Sequence, residues 1–203
     1  MIEYFLKGGT FMWPILVVFI IGLIFVIERL IHLIKSLSTK ESFAEDIAMT
    51  IASSGVAEAK SKSEGAIGPV ANLCNVALEE ANNGEEAVEK ALDQTGTIEM
   101  ATLEKNMTWI SLSIAVAPML GFLGTVVGMV SAFDKIAEAS DIDASLVAEG
   151  ISQALLTTAF GLICAVVLQM LQNAVIYIID NQILSMQRSS MMLVKSISKK
   201  NSL

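Results

Sequence analysis

The sequence predicts an all-α membrane protein with three membrane-spanning helices. The chain has 203 residues, of which 54% are hydrophobic and only 17% are charged, whereas soluble domains contain about 25% charged residues. Three stretches lack Asp, Glu, Lys and Arg altogether: residues 8–27, 106–133 and 150–179. Each is long enough for the helix of about 20 residues that crosses the hydrocarbon core of a bilayer. No segment indicates a strand or an internal repeat.

The first charge-free stretch is interpreted as a spanning helix and not as a secretory signal peptide. Its apolar run is too long, no basic segment precedes it, and Glu28-Arg29 follows it where small residues would be expected. The predicted order is an N-terminal segment 1–10, a first span 11–34, a helical domain 35–105, a second span 106–133, a loop 134–149, a third span 150–179 and a C-terminal helix 180–203.

Basic residues predict the orientation of these spans, because Lys and Arg concentrate on the cytoplasmic side. The N-terminal segment and the loop 134–149 together hold two, Lys7 and Lys135, whereas the segments 28–105 and 180–203 hold the other eleven. The N-terminus is therefore expected outside, and the helical domain and C-terminus in the cytoplasm, of an inner membrane.

The large segment 28–105 is predicted to form helices. Gly and Pro punctuation separates helices near 41–62 and 69–82 from a third that begins near Glu85. No residue between Glu85 and Ala117 clearly ends a helix, so one rod from about 85 to 133, roughly 75 Å long, is expected to carry the second span into the cytoplasm. The tail after 179 is expected to continue as an amphipathic helix.

The second span contains a face of small residues. Gly121, Gly124, Thr125 and Gly128 fall within about a 120° arc, and Gly124 and Gly128 form a GxxxG pair that permits close approach of another helix. Pro118 removes one backbone hydrogen bond within the same helix. Tight helix packing is the simple interpretation of the glycines.

The third span has a polar face inside the membrane. Its arc of about 160° holds Gly161 and five polar residues, Gln153, Thr157, Thr158, Gln169 and Gln172. Such a face should meet protein or water and not lipid. Two interpretations remain open, a polar pathway or contacts that only join helices. The charge-free stretches of the spans contain no carboxylate, so a partner would have to supply a proton-binding group.

Composition excludes several kinds of chemistry. A single histidine, two cysteines and a net charge of −8 argue against an enzyme, a metal site, a bound cofactor and a nucleic-acid partner. Two charged residues border the spans. Arg29 is expected to anchor the interface or to pair with acidic groups of a neighbouring subunit, and Glu149 lies at the outer end of the third span.

These motifs resemble the MotA/TolQ/ExbB family of proton-channel stators, and most closely its ExbB branch. The family's APxLGLLGTVxGM signature is similar to residues 117–129, and its third-span pattern is similar to residues 151–162. The resemblance implies a ring-shaped homopentamer in the bacterial inner membrane. The pentamer would enclose two copies of a single-span, ExbD-like protein with a proton-binding aspartate, and would drive a TonB-like protein. It also assigns the pore threonines to Thr125 and Thr158.

The sequence departs from this pattern at Gln153, where ExbB and TolQ commonly have glutamate, and Thr157 adds an oxygen beside Thr158. Neutral oxygens suit a hard cation as well as a water chain, so sodium remains an alternative coupling ion. The alternative functions are a TolQ-type stator for envelope maintenance, a stator for gliding or secretion, and a non-conducting scaffold.

Overall fold

The computed structural model describes residues 2–36, 41–138 and 144–201. Within these ranges the regular structure is entirely α-helical. The helices are α1 (Ile2–Lys7), α2 (Met12–Ser36), α3 (Glu41–Ser53), α4 (Val56–Ser63), α5 (Pro69–Glu80), α6 (Glu85–Leu103), α7 (Met107–Glu138) and α8 (Ala144–Asn201). Three stretches of helix, in α2, α7 and α8, are long and apolar enough to cross a membrane, which confirms the predicted fold class.

The chain divides into two compact units, and α2 and α8 contribute residues to both. The membrane unit comprises residues 1–28 and 106–174, and the α3–α6 unit comprises residues 29–105 and 175–203. The membrane unit contains most of the charge-free sequence. The α3–α6 unit contains the short helices.

All three spans meet inside the membrane unit. Ile15 of α2, Ala117 of α7 and Cys164 of α8 are buried together. Gly22 marks a second meeting point, because a methyl group at this position would lie 2.7 Å from Leu168 Cδ1 and 2.9 Å from Ser113 Cβ. Small residues therefore let the helices approach where lipid offers no hydrophobic driving force for their association.

The α3–α6 unit has its own apolar core. Buried residues come from each short helix and from the C-terminal part of α8: Ile47, Ile51, Ala59, Leu73, Cys74, Leu78, Val88, Leu92, Met186, Leu193 and Ile197. The burial of Met186, Leu193 and Ile197 follows a helical spacing, so the predicted amphipathic tail is confirmed, although Met191 is exposed. The predicted starts of α5 and α6, at Pro69 and Glu85, are also confirmed.

The structure corrects the prediction of one rod from about 85 to 133. Helix α6 ends at Leu103 and α7 begins at Met107. Between them, Asn106 has a φ of 66°, in the left-handed region that Asn tolerates better than most residues. Its carbonyl accepts a hydrogen bond from the Trp109 N–H at 3.1 Å, and its Nδ2 donates to Glu28 Oε2 at 3.2 Å. Asn106 thus both ends one helix and starts the next.

Two other boundaries differ from the predictions. The helix expected near 41–62 is divided into α3 and α4 at Gly55, which has a φ of 99°. Within the expected loop 134–149, the described residues 134–138 and 144–149 are helical. Residues 139–143 of that loop, 37–40 of the large segment 28–105 and 202–203 of the tail lie outside the described residues.

Candidate functional site

Helices α7 and α8 are antiparallel neighbours in backbone-to-backbone contact. A methyl group at Gly161 would lie 2.6 Å from the Ala117 carbonyl oxygen, and one at Gly121 would lie 2.9 Å from the Thr157 carbonyl oxygen. Real Cβ atoms essentially never come within 3.0 Å of such atoms. The two glycines therefore set the distance at which side chains of the two spans face each other.

Three threonine hydroxyls converge at this contact on the carbonyl oxygen of Gly121. The Oγ1 atoms of Thr158, Thr125 and Thr157 lie 3.0, 3.1 and 3.3 Å from it. Thr125 and Thr158 are also hydrogen-bonded to each other through their hydroxyls. The sequence predicted both as ion-pathway residues, and the structure brings them together across the two helices.

The cluster has a surplus of oxygen lone pairs. Each hydroxyl has one hydrogen but two acceptor sites, and the hydrogens can be satisfied by the Gly121 carbonyl, the Ala154 carbonyl or a neighbouring hydroxyl. The remaining lone pairs can accept hydrogen bonds from water or coordinate a hard cation. All of these oxygens are neutral, so the cluster can orient a proton or cation but cannot titrate.

Access distinguishes the three threonines. Thr125 and Thr158 are half-buried, whereas Thr157 is 2% exposed and donates its hydroxyl to the Ala154 carbonyl at 2.7 Å. The structure thus places Thr157 inside the helix contact, in contrast to the expectation that it lines a pathway. Its role is to fill the space opposite Gly124, where an added methyl group would lie 2.8 Å from its hydroxyl.

Gln153 lies against the N-terminal turn. A methyl group at Gly9 would overlap with its Nε2, and Gly9 has a φ of 74°, which L side chains rarely adopt. The half-buried Gln153 side chain therefore packs on the backbone that leads into α2. That Gln153 lines the same pathway as Thr158 stays a prediction.

The remaining packing candidates follow the same helix contact. A methyl group at Gly128 would lie 3.1 Å from Ala154 Cβ. Pro118 lies inside α7, where its missing N–H leaves the carbonyl of Ile114 without its helical donor. Small residues and the proline thus lie one to two turns on either side of the hydroxyl cluster.

The two border charges have different environments. Arg29 is 2% exposed, and its Nη1 donates to the Thr102 carbonyl at 3.2 Å. Thr102 is in the last turn of α6, where carbonyls lack helical donors and a cation is favourable. Arg29 thus binds the end of α6 in its own chain, and its roles as an interface anchor or as a link to a neighbouring subunit stay predictions. Glu149 is exposed near the start of α8.

A second polar cluster joins Gln169 and Gln172, which the sequence placed on the polar face, to Ser111 and Asn173, which it did not indicate. Gln172 Nε2 donates to Ser111 Oγ at 2.6 Å, and Gln169 Nε2 donates to Asn173 Oδ1 at 3.1 Å. The spacing contains a signal for Ser111, because 14 residues separate it from Thr125 and a helix returns close to the same face after that interval.

Comparison with known proteins identifies the family. The model of the MotA/TolQ/ExbB proton channel family matches residues 62–188, which is more than half of the chain and includes both clusters. The chain belongs to the MotA/TolQ/ExbB proton channel family. The match confirms the resemblance inferred from the two span motifs.

Two relatives of ExbB type align with most of this chain. An ExbB homolog of Methanothermobacter thermautotrophicus is 29% identical over 90% of this chain and 65% of its own length. An ExbB-like protein of Synechocystis is 28% identical over 82% of this chain and 66% of its own length. TolQ of the Tol-Pal system of Haemophilus influenzae is 32% identical over 41% of this chain and 37% of its own length. The chain thus spans just under two thirds of the ExbB-type relatives.

Proposed function

We propose that this protein is the channel-forming stator subunit of an ExbB–ExbD-type motor, which couples the proton motive force to TonB-dependent transport across the outer membrane. Five copies would form a ring in the inner membrane around two copies of an ExbD-like single-span protein. The role is non-enzymatic, since the chain contributes oriented oxygens and the partner contributes the proton-binding aspartate.

The pair of Thr125 and Thr158 hydroxyls carries this proposal. It lies at the contact of two spans, is half-buried, and has unused acceptor sites. The charge-free stretches of the spans contain no carboxylate, although proton-moving membrane proteins generally depend on an acidic group. In this proposal a carboxylate on a partner helix binds the proton, and the neutral, preorganised oxygen cluster orients that proton along the pathway.

The orientation follows from the asymmetry of basic residues. Two basic residues on one side against eleven on the other support a periplasmic N-terminus and a cytoplasmic C-terminus. In this orientation the α3–α6 unit is cytoplasmic.

Hydroxyl deletion tests the proposal. Thr125→Val and Thr158→Val keep the side-chain shape and remove the oxygen, so each should abolish partner-dependent proton flux in vesicles while native mass spectrometry still finds pentamers. Thr108→Val, at an exposed position of the same helix α7, serves as the matched control and should conduct normally. Wild-type flux in both cluster variants would contradict the proposal, and so would an assembled ring that conducts no ions with its partner.

A TolQ-type role in envelope maintenance is the second candidate, because a TolQ protein aligns with this chain at 32% identity. The mechanism would be the same and the partner different. Affinity purification from the native membrane separates the two: an ExbD-like or TonB-like protein supports the first function, and Tol-Pal components support the second.

A further inference from the structure

The second polar cluster, which we call the inner cluster, consists of Ser111 on α7 and Gln169, Gln172 and Asn173 on α8. Gln172 is 7% exposed and is held by its 2.6 Å hydrogen bond to Ser111. The Gln169 amide lies within reach of both Gln172 Oε1, at 3.5 Å, and Asn173 Oδ1, at 3.1 Å. The other three side chains are exposed.

The inner cluster lies at the depth of the hydrocarbon core. From the midpoint of the charge-free stretch 150–179, Gln169 is about 7 Å and Asn173 about 13 Å along the helix axis at 1.5 Å per residue. From the midpoint of 106–133, Ser111 is also about 13 Å away. Half of the core is about 15 Å thick. Exposed amides at this depth cannot face lipid without a large cost.

The inner cluster also continues the faces that carry the threonines. On α8, Gln169 is 11 residues from Thr158, which is about 20° around the helix and 16 Å along it. On α7, Ser111 is about 40° from Thr125. Between the two clusters this face of α8 carries apolar side chains, including Leu162 and Ala165. The pathway thus has two polar stations separated by an apolar section.

We propose that the inner cluster is a water-filled release station, at which the transported cation leaves the partner's carboxylate and enters water on the cytoplasmic side. This inference rests on the proposed function, because the carboxylate must carry the ion past the apolar section. The four side chains offer amide and hydroxyl oxygens, which suit water and a hard monovalent cation, and they contain no charge that would trap it.

Cysteine accessibility provides the test. Gln169→Cys and Met170→Cys place thiols at adjacent, exposed positions of α8 at the same depth; Met170 is 68% exposed and lies on the apolar face. The full chain with its single-span partner is reconstituted in vesicles and treated with a charged methanethiosulfonate reagent. Gln169→Cys should react at least about tenfold faster than Met170→Cys, because a thiol ionises in water and not in lipid. Wild-type protein measures the background from Cys74 and Cys164, which are both buried.

Equal, slow reaction at both positions would overturn the release station, since it would show that Gln169 is covered by another helix. The flux of Thr158→Val in the same vesicles separates this failure from failure of the proposed function. Lost flux in Thr158→Val together with an unreactive Gln169→Cys refutes the inner cluster alone. Normal flux in both Thr158→Val and Thr125→Val refutes the ion pathway and the inference with it.

Discussion

Gly161→Ala should separate the two helices that hold the hydroxyl pair. The new methyl group would lie 2.6 Å from the Ala117 carbonyl oxygen, and ordinary van der Waals contact begins at 3.4 Å. Because the position of a Cβ is fixed by its own backbone and the oxygen belongs to the backbone of α7, neither atom can move aside, and α7 and α8 must part by about 0.8 Å. The hydrogen bond from Thr158 Oγ1 to the Gly121 carbonyl, now 3.0 Å, would then exceed hydrogen-bond distance.

Gly96 provides a matched control for the change in the free energy of unfolding that Gly161→Ala causes. Overpacking of this kind costs about 1–3 kcal/mol, whereas replacing Gly by Ala in a helix stabilises it by about 1 kcal/mol. Gly96 in α6 gives the second effect alone, because a methyl group there meets nothing within 4 Å. The free energy of unfolding of Gly161→Ala should therefore fall below that of Gly96→Ala by about 1–3 kcal/mol.

The assay is unfolding by sodium dodecyl sulfate in mixed micelles, followed by circular dichroism, together with partner-dependent flux in vesicles. Gly96→Ala should be at least as stable as wild type and conduct normally, and Gly161→Ala should lose both stability and flux. Equal stabilisation by the two substitutions would refute the argument that the helix backbones are in contact at Gly161.

Three further predictions concern other parts of the chain. Arg29→Met removes a buried charge-assisted hydrogen bond and should destabilise the protein by about 1.5–3 kcal/mol, with faster amide exchange near Thr102; unchanged exchange there would contradict the helix-end role. Burial raises the pKa of the Cys74 thiol from 9.0 to about 12, so native Cys74 should resist alkylation at pH 8 and react after unfolding. Because the unfolded thiol loses its proton first, stability should decline as the pH rises from 9 towards 12, and Cys74→Ala should weaken that decline in a thermal-unfolding series. Finally, Gln153→Ala should reduce flux less than Thr158→Val, since Gln153 packs on Gly9 and carries no proton; complete loss in Gln153→Ala would contradict this.

The spans and their faces could be predicted because the membrane limits which residue types can occur along a spanning segment. A chain that crosses lipid must avoid charge for about 20 residues and place its polar side chains on one helical face. The sequence alone therefore predicted three spans, the polar face with Thr158 and Gln169, and the absence of a carboxylate at membrane depth.

Local sequence signals predicted some boundaries of the helices in the α3–α6 unit but missed others. Proline and glycine correctly indicated the starts of α5 and α6. Proline restricts φ to helical values, and glycine permits the positive φ values found just before these helices. The prediction of one rod overlooked Asn106, although asparagine is less favourable inside helices than at their ends. Its positive φ depends on contacts with Glu28 and Trp109 that a local pattern does not contain.

The pairing of side chains was decided only by the tertiary structure. The sequence determined that this protein has three spans with polar and small-residue faces, and that its own carboxylates lie outside the charge-free stretches of these spans. Which hydroxyls meet depends on how closely α7 and α8 approach and in what register, and that distance is set by Gly121 and Gly161 together. The same packing placed Thr157 inside the contact, Gln153 against Gly9 and Arg29 at the end of α6, because each depends on a neighbour far away in the chain.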